Sequence, residues 1–206
     1  MAEKEVFQPL TLWDKVSVIL YRAGILISSL LLFAGGVILV FSFDKSSWLT
    51  LEIKNERAFL FFLLCLYLSV GISVATIHLY AKRFRRLIRF LYLTSVFAFL
   101  VILFLSAGLP GHFIMKNPLG ALLLMPLAGT LGFIAMKEAF CFRLFEGYLL
   151  AILLPFFVFI LFVKVLSPSL TGAFLVFIGL MMCYFCWRKF KIPLAYDIGD
   201  KSAYEV

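Results

Sequence analysis

Six long apolar runs alternate with short polar stretches along the chain. An apolar run of about 20 residues is long enough to cross a bilayer as a helix. The pattern therefore predicts six transmembrane helices, over 18–43, 58–80, 90–107, 119–136, 148–166 and 170–187. The expected fold is an all-α integral membrane helical bundle. A single six-span domain fills residues 1–187, and a polar cytoplasmic tail, 188–206, ends in a mixed-charge, flexible segment. Asp44 to Arg57 reads as a polar loop, Gly108 to Pro118 as a Gly- and Pro-rich turn, and Ser167-Pro168-Ser169 as a tight turn. Trp13 and Tyr21 suit an interfacial belt before the first span, where Arg22 is free to snorkel. Pro126 and Pro155 fall near the middles of spans four and five, where each removes a backbone hydrogen bond and kinks its helix. Gly35-Gly36, Ser69 with Ser73, and Ala128 with Gly132 are small residues that permit close helix contact.

Composition strengthens this picture. Of 206 residues, 64% are hydrophobic and 15% charged, with mean hydropathy +1.09. A soluble domain is nearer half apolar and a quarter charged. The N-terminal stretch lacks the form of a signal peptide, because Glu3, Glu5 and Asp14 balance its basic residues.

The net charge of +8 points to lipid headgroups and membrane orientation, not to nucleic acid. With both ends inside, fourteen Lys and Arg residues fall on the inner segments and five on the outer ones. That asymmetry places both termini in the cytoplasm and the protein in the cytoplasmic (inner) membrane. The densest basic stretch, between spans two and three, holds Lys82, Arg83, Arg85, Arg86 and Arg89. As a helical turn it presents Lys82, Arg85, Arg86 and Arg89 on one face to anionic headgroups, each worth about 1 kcal/mol near the surface.

One stretch between the runs mixes both charge signs with a thiol and three phenylalanines, from Lys137 to Gly147. As a helix it sets Glu138, Cys141 and Phe145 on one face and lets Arg143 pair with Glu146. Gly147 would end the turn. An amphipathic interfacial turn anchored in headgroups explains the stretch simply. The alternative is a functional surface of Lys137, Glu138, Cys141, Arg143 and Glu146, since a carboxylate at the membrane edge is costly unless paired or used. Gly132-Phe133, the run Lys137-Glu138-Ala139-Phe140-Cys141-Phe142 and Glu146 also carry a resemblance. This signature is similar to that of a family of bacterial multi-pass membrane proteins of unknown function. It implies an integral membrane protein and assigns no catalytic residue.

The four cysteines suggest little chemistry. Cys183-Tyr184-Phe185-Cys186 sits near a helix C-terminus, where the dipole opposes thiolate formation. Plain packing thiols fit better. His78, Cys141, Cys183 and Cys186 would compose a Cys3His zinc set on the cytoplasmic side, but they are scattered over three segments. No cofactor is expected. His112, in the outer turn, reads as a surface residue. No Asp, Glu, Lys, Arg or His lies near the centre of any span, which argues against ion coupling through buried carboxylates.

Three function classes remain, in this order: a non-catalytic membrane subunit or scaffold; a small-solute transporter or channel; and a surface enzyme using Glu138, Cys141 and Glu146. A homo-oligomer or a membrane complex is compatible with the first. The orientation is checked on Cys141, with the other three cysteines replaced by serine. A membrane-impermeant thiol reagent is expected to label it only after cells are opened; labelling in intact cells would invert the topology.

Overall fold

The computed structural model describes residues 9–42, 47–48 and 51–200. Phe7, Lys45 and the mixed-charge end of the tail lie outside the described residues. Among the described residues the structure is all-helical: α1 (Leu12–Ser42), α2 (Glu56–Thr76), α3 (Lys82–Leu105), α4 (Pro110–Lys116), α5 (Pro118–Leu122), α6 (Met125–Phe142), α7 (Glu146–Val163), α8 (Pro168–Phe190) and α9 (Leu194–Ile198). Six segments are long and apolar enough to cross a membrane: α1, α2, α3, α5 with α6, α7 and α8. Large apolar side chains cover the lateral surface, among them Phe41, Phe97, Phe104 and Ile152. That is the surface a bilayer solvates.

Local chemistry sets several of the boundaries. The Asn55 side chain accepts from the Ala58 N–H and starts α2; Asn117 accepts from Leu119 and starts α5; Ser167 accepts from Leu170 and starts α8. Pro110, Pro118 and Pro168 stand in first turns, where a missing N–H costs nothing. The Gly- and Pro-rich stretch expected to be a turn thus contains the helix α4. The basic stretch is helical and belongs to the span after it: Lys82 to Arg89 form the first two turns of α3.

The two prolines act differently. Pro155 lies inside α7, as its position in the run predicted. Pro126 lies in the first turn of α6, after a break between Leu122 and Met125. It starts a helix and kinks none, because span four is two helices in series.

α1 runs along α8, with α2 on another side; α6 pairs with α7 and borders α3. Small residues make the closest approaches. A Cβ on Gly36 would stand 2.5 Å from the Val176 nitrogen, and one on Gly179 would stand 2.5 Å from the Phe33 Cα. Where α1 meets α2, a Cβ on Gly24 would lie 2.3 Å from Ser73 Oγ, and Ser28 Oγ is 2.8 Å from Ser69 Oγ. Such pairs let backbones meet where lipid offers no hydrophobic drive between helices.

Bonds between elements show which ends share a side. Trp48 Nε1 donates to the Leu166 carbonyl at 2.7 Å, and Glu56 binds α4 at the same end. At the other end the start of α1, the end of α2, the end of α6 and the end of α8 converge. The expected polar tail from Arg188 is revised. Residues 188–190 complete α8, and 191–200 return onto this end through α9, which buries Asp197 and Ile198.

Gly179→Ala is expected to lower stability by about 1–3 kcal/mol, the usual range for overpacking. Gly129→Ala, where an added Cβ meets nothing within 4 Å, is expected to gain up to about 1 kcal/mol of helix propensity. Thermal unfolding in one detergent, read side by side, checks both signs.

Candidate functional site

The converging end contains a row of buried ionisable side chains. Lys137 and Glu138 stand on the last turns of α6, Tyr21 and Arg22 on the third turn of α1, Lys189 at the end of α8 and Asp197 on α9. Glu138 is 0% exposed, Lys189 1% and Asp197 6%. Such groups are costly in a membrane protein unless each meets an opposite charge.

Here they alternate in sign. Lys137 Nζ donates to Glu138 Oε1 at 2.6 Å, and the Tyr21 hydroxyl donates to the same oxygen at 2.6 Å. The Lys189 ammonium pairs with both Glu138 Oε2 and Asp197 Oδ1. Arg22 donates from Nε to Asp197 Oδ2 at 2.7 Å, and also from its Nη2. The same Nη2 reaches the Ile192 carbonyl at 2.8 Å. The order is therefore Lys137, Glu138, Lys189, Asp197, Arg22, with cations at both ends. Aromatic faces complete the surroundings: Lys189 Nζ lies 3.4 Å from the Phe142 ring centre, and Lys137 Nζ 5.2 Å from that of Tyr21. Beside the row, Arg188 donates to Glu146 Oε2 at 2.7 Å and ties the start of α7 to the end of α8.

Lys137, Glu138 and Glu146, singled out from sequence, are thus buried and paired. Residues 137–147 join two helices and are not one helix. α6 ends at Phe142, and Arg143 adopts a left-handed backbone with φ +55°. Glu138 points inward within α6, while Cys141 and Phe145 are exposed. Arg143 is exposed and does not take Glu146, which pairs with Arg188 instead. Gly147 does not end a turn. It lies in the first turn of α7, where a Cβ would come 2.4 Å from the Ala135 carbonyl oxygen.

Four members of the row escaped the sequence reading. Arg22 is turned inward, not snorkelling, and Tyr21 is core, not belt. Lys189 and Asp197 were assigned to a tail. One signal was present there: Ile192, Leu194, Ala195, Tyr196 and Ile198 make that stretch too apolar for a solvated end.

The zinc set is not assembled. His78 Nε2 stands 3.0 Å from Ser17 Oγ, Cys186 Sγ 3.2 Å from Ser29 Oγ, and Cys141 is exposed. Among the described residues, no three His, Cys, Asp or Glu side chains are grouped to hold a metal. His112 is half-buried and bonded, with Nδ1 2.9 Å from Glu56 Oε1. Of the basic stretch, Lys82, Arg83, Arg86 and Arg89 are exposed and Arg85 is half-buried.

A family of uncharacterized integral membrane proteins, DUF2301, has a model that matches residues 72–206. The chain belongs to that family. The matched part of this DUF2301 chain includes Lys137, Glu138, Lys189 and Asp197, while Tyr21 and Arg22 precede it. An uncharacterized protein of Haemophilus influenzae is 27% identical over 208 residues, with all of both chains covered. No solved structure matches.

Replacing Glu138 with Ala leaves Lys137 and Lys189 without their shared carboxylate. Breaking a buried pair in this way costs about 3–5 kcal/mol. A large drop in melting temperature is expected for Glu138→Ala, against a change within about 0.5 kcal/mol for exposed Cys141→Ser.

Proposed function

We propose that this DUF2301 chain is a non-catalytic subunit or scaffold of the cytoplasmic membrane, with both termini on the cytoplasmic side. The observation that carries this reading is the ion row. Its charged groups are spent on one another and fasten α1, α6, α8 and α9 together. A carboxylate working on a substrate needs access, and Glu138 has none. The orientation rests on the excess of Lys and Arg on the segments of the end that holds the row. In that orientation the exposed Lys82, Arg83, Arg86 and Arg89 at the start of α3 meet anionic headgroups, with Phe84, Leu87 and Phe90 entering the bilayer beside them.

A second reading has its own observation. Span four is discontinuous, α5 borders α7, and α7 holds Pro155. Broken helices of this kind form substrate sites in transporters, so a small-solute transporter or channel is the alternative.

Two measurements on the full chain, one in solubilised membranes and one after purification, separate them. For a subunit, native electrophoresis of mildly solubilised membranes is expected to show an assembly larger than one chain, and proteoliposomes are expected to be no leakier to neutral solutes than empty vesicles. A single-chain species together with solute flux that Pro155→Ala abolishes would overturn the first reading in favour of the second.

A further inference from the structure

The end of the bundle opposite the ion row holds an open cavity of 520 Å³, within the range of small-molecule sites, about 300–1,000 Å³. It is lined by the end of α3, by α4 and by Asn117, which follows α4. Leu105 and Leu109 are exposed and Phe113 is half-buried; together they make its apolar wall. Its polar lining is Ser106, His112, Lys116 and Asn117, and no carboxylate joins them.

Bonds to the rest of the chain fix what each polar group has left to offer. Asn117 Oδ1 accepts from the Leu119 N–H at 2.9 Å, which leaves the side-chain amide its N–H donors. The carbonyl of Lys116 accepts from the Lys164 ammonium, whereas the ammonium of Lys116 has no bonded partner among the described residues. His112 Nδ1 lies 2.9 Å from Glu56 Oε1. An ionised carboxylate only accepts, so the ring donates there, and a neutral ring keeps Nε2 as an acceptor. Ser106 Oγ donates to the Leu103 carbonyl at 3.2 Å and keeps its lone pairs. The cavity thus offers a charged donor and an amide donor, two acceptors and an apolar wall.

We propose that this cavity binds a phospholipid whose headgroup carries both a phosphodiester and a free hydroxyl, such as a glycerol headgroup. Lys116 and Asn117 donate to the phosphate, and charge-assisted bonds of the first kind are the strong ones. His112 Nε2 and Ser106 Oγ accept from the hydroxyl, and Leu105, Leu109 and Phe113 border the acyl chains. An ethanolamine headgroup would instead bring an ammonium beside Lys116, a like charge. The lipid belongs to the leaflet at the end opposite the ion row, so this site is separate from the basic start of α3. The inference does not rest on the subunit reading above.

The test uses the full chain in a neutral detergent, with phosphatidylglycerol and phosphatidylethanolamine as probes and lipid retention read by native mass spectrometry. Lys116→Gln removes the ammonium and keeps the carbonyl that Lys164 uses. Asn117→Asp keeps the acceptor for Leu119 and replaces the donor with an anionic oxygen. Each is expected to weaken phosphatidylglycerol retention about tenfold, the scale of one lost hydrogen bond to a charged group, and to leave phosphatidylethanolamine retention unchanged. Equal retention of phosphatidylglycerol by wild type and both variants would sink the proposal, because the basic start of α3 is the same in all three. Where a variant does not fold, hydrogen exchange of the wild-type chain decides. Amides in 105–117 are expected to exchange more slowly with phosphatidylglycerol than with phosphatidylethanolamine, and unchanged exchange would overturn the site. Equal slowing by glycerol 3-phosphate alone would overturn the lipid as occupant, since the apolar wall would then contribute nothing.

Discussion

Glu138 is the residue on which the arrangement of this end depends. It accepts from the α1 hydroxyl of Tyr21 and from its neighbour Lys137, and it faces Lys189 of α8. A lone carboxylate at 0% exposure would be expelled by its own desolvation cost. Its partners make it tolerable only if α1, α6 and α8 meet at one register. Apolar packing in lipid is a weak selector of register, because a tail contact and a leucine contact are nearly equivalent. The ion row supplies the selection that packing lacks. A slide of α8 by one turn would carry Lys189 about 5.4 Å along the axis and away from Glu138.

The small residues do the complementary work. Gly36, Gly172 and Gly179 bring α1 and α8 to backbone contact, and Gly24 with Ser69 and Ser73 does the same for α1 and α2. Close approach multiplies dispersion contacts, each tiny and collectively large. Charge thus fixes where the helices stop along one another, and small side chains fix how near they come. Both devices centre on α1.

How much of this could be read from the sequence follows from the range of each signal. The six spans were legible because hydropathy over about 20 residues is a local property, and the runs at 58–80 and 170–187 correspond to α2 and α8. Pro155 was legible for the same reason. Pro126 was not, because whether a proline kinks a helix or begins one depends on the break at Leu123 and Leu124 just before it. Lys137 and Glu138 stood out as charges beside an apolar run. Arg22 and Asp197 did not stand out together, since their partnership spans 175 residues and nothing in either neighbourhood announces it. Arg143 shows how a single backbone angle redirects a motif. Its left-handed turn ends α6 and turns Glu146 toward Arg188.

That long separation has a consequence for biogenesis. Arg22 enters the membrane with the first span, while the carboxylate that satisfies it emerges 175 residues later. At about 5–20 residues per second, translation takes on the order of ten seconds or more to deliver it. During that interval α1 carries an unmatched guanidinium among apolar neighbours and must hold it near the headgroups. The seam between α1 and α8 can therefore close only after the rest of the bundle has been inserted. Assembly of this protein ends where it began, at its first helix.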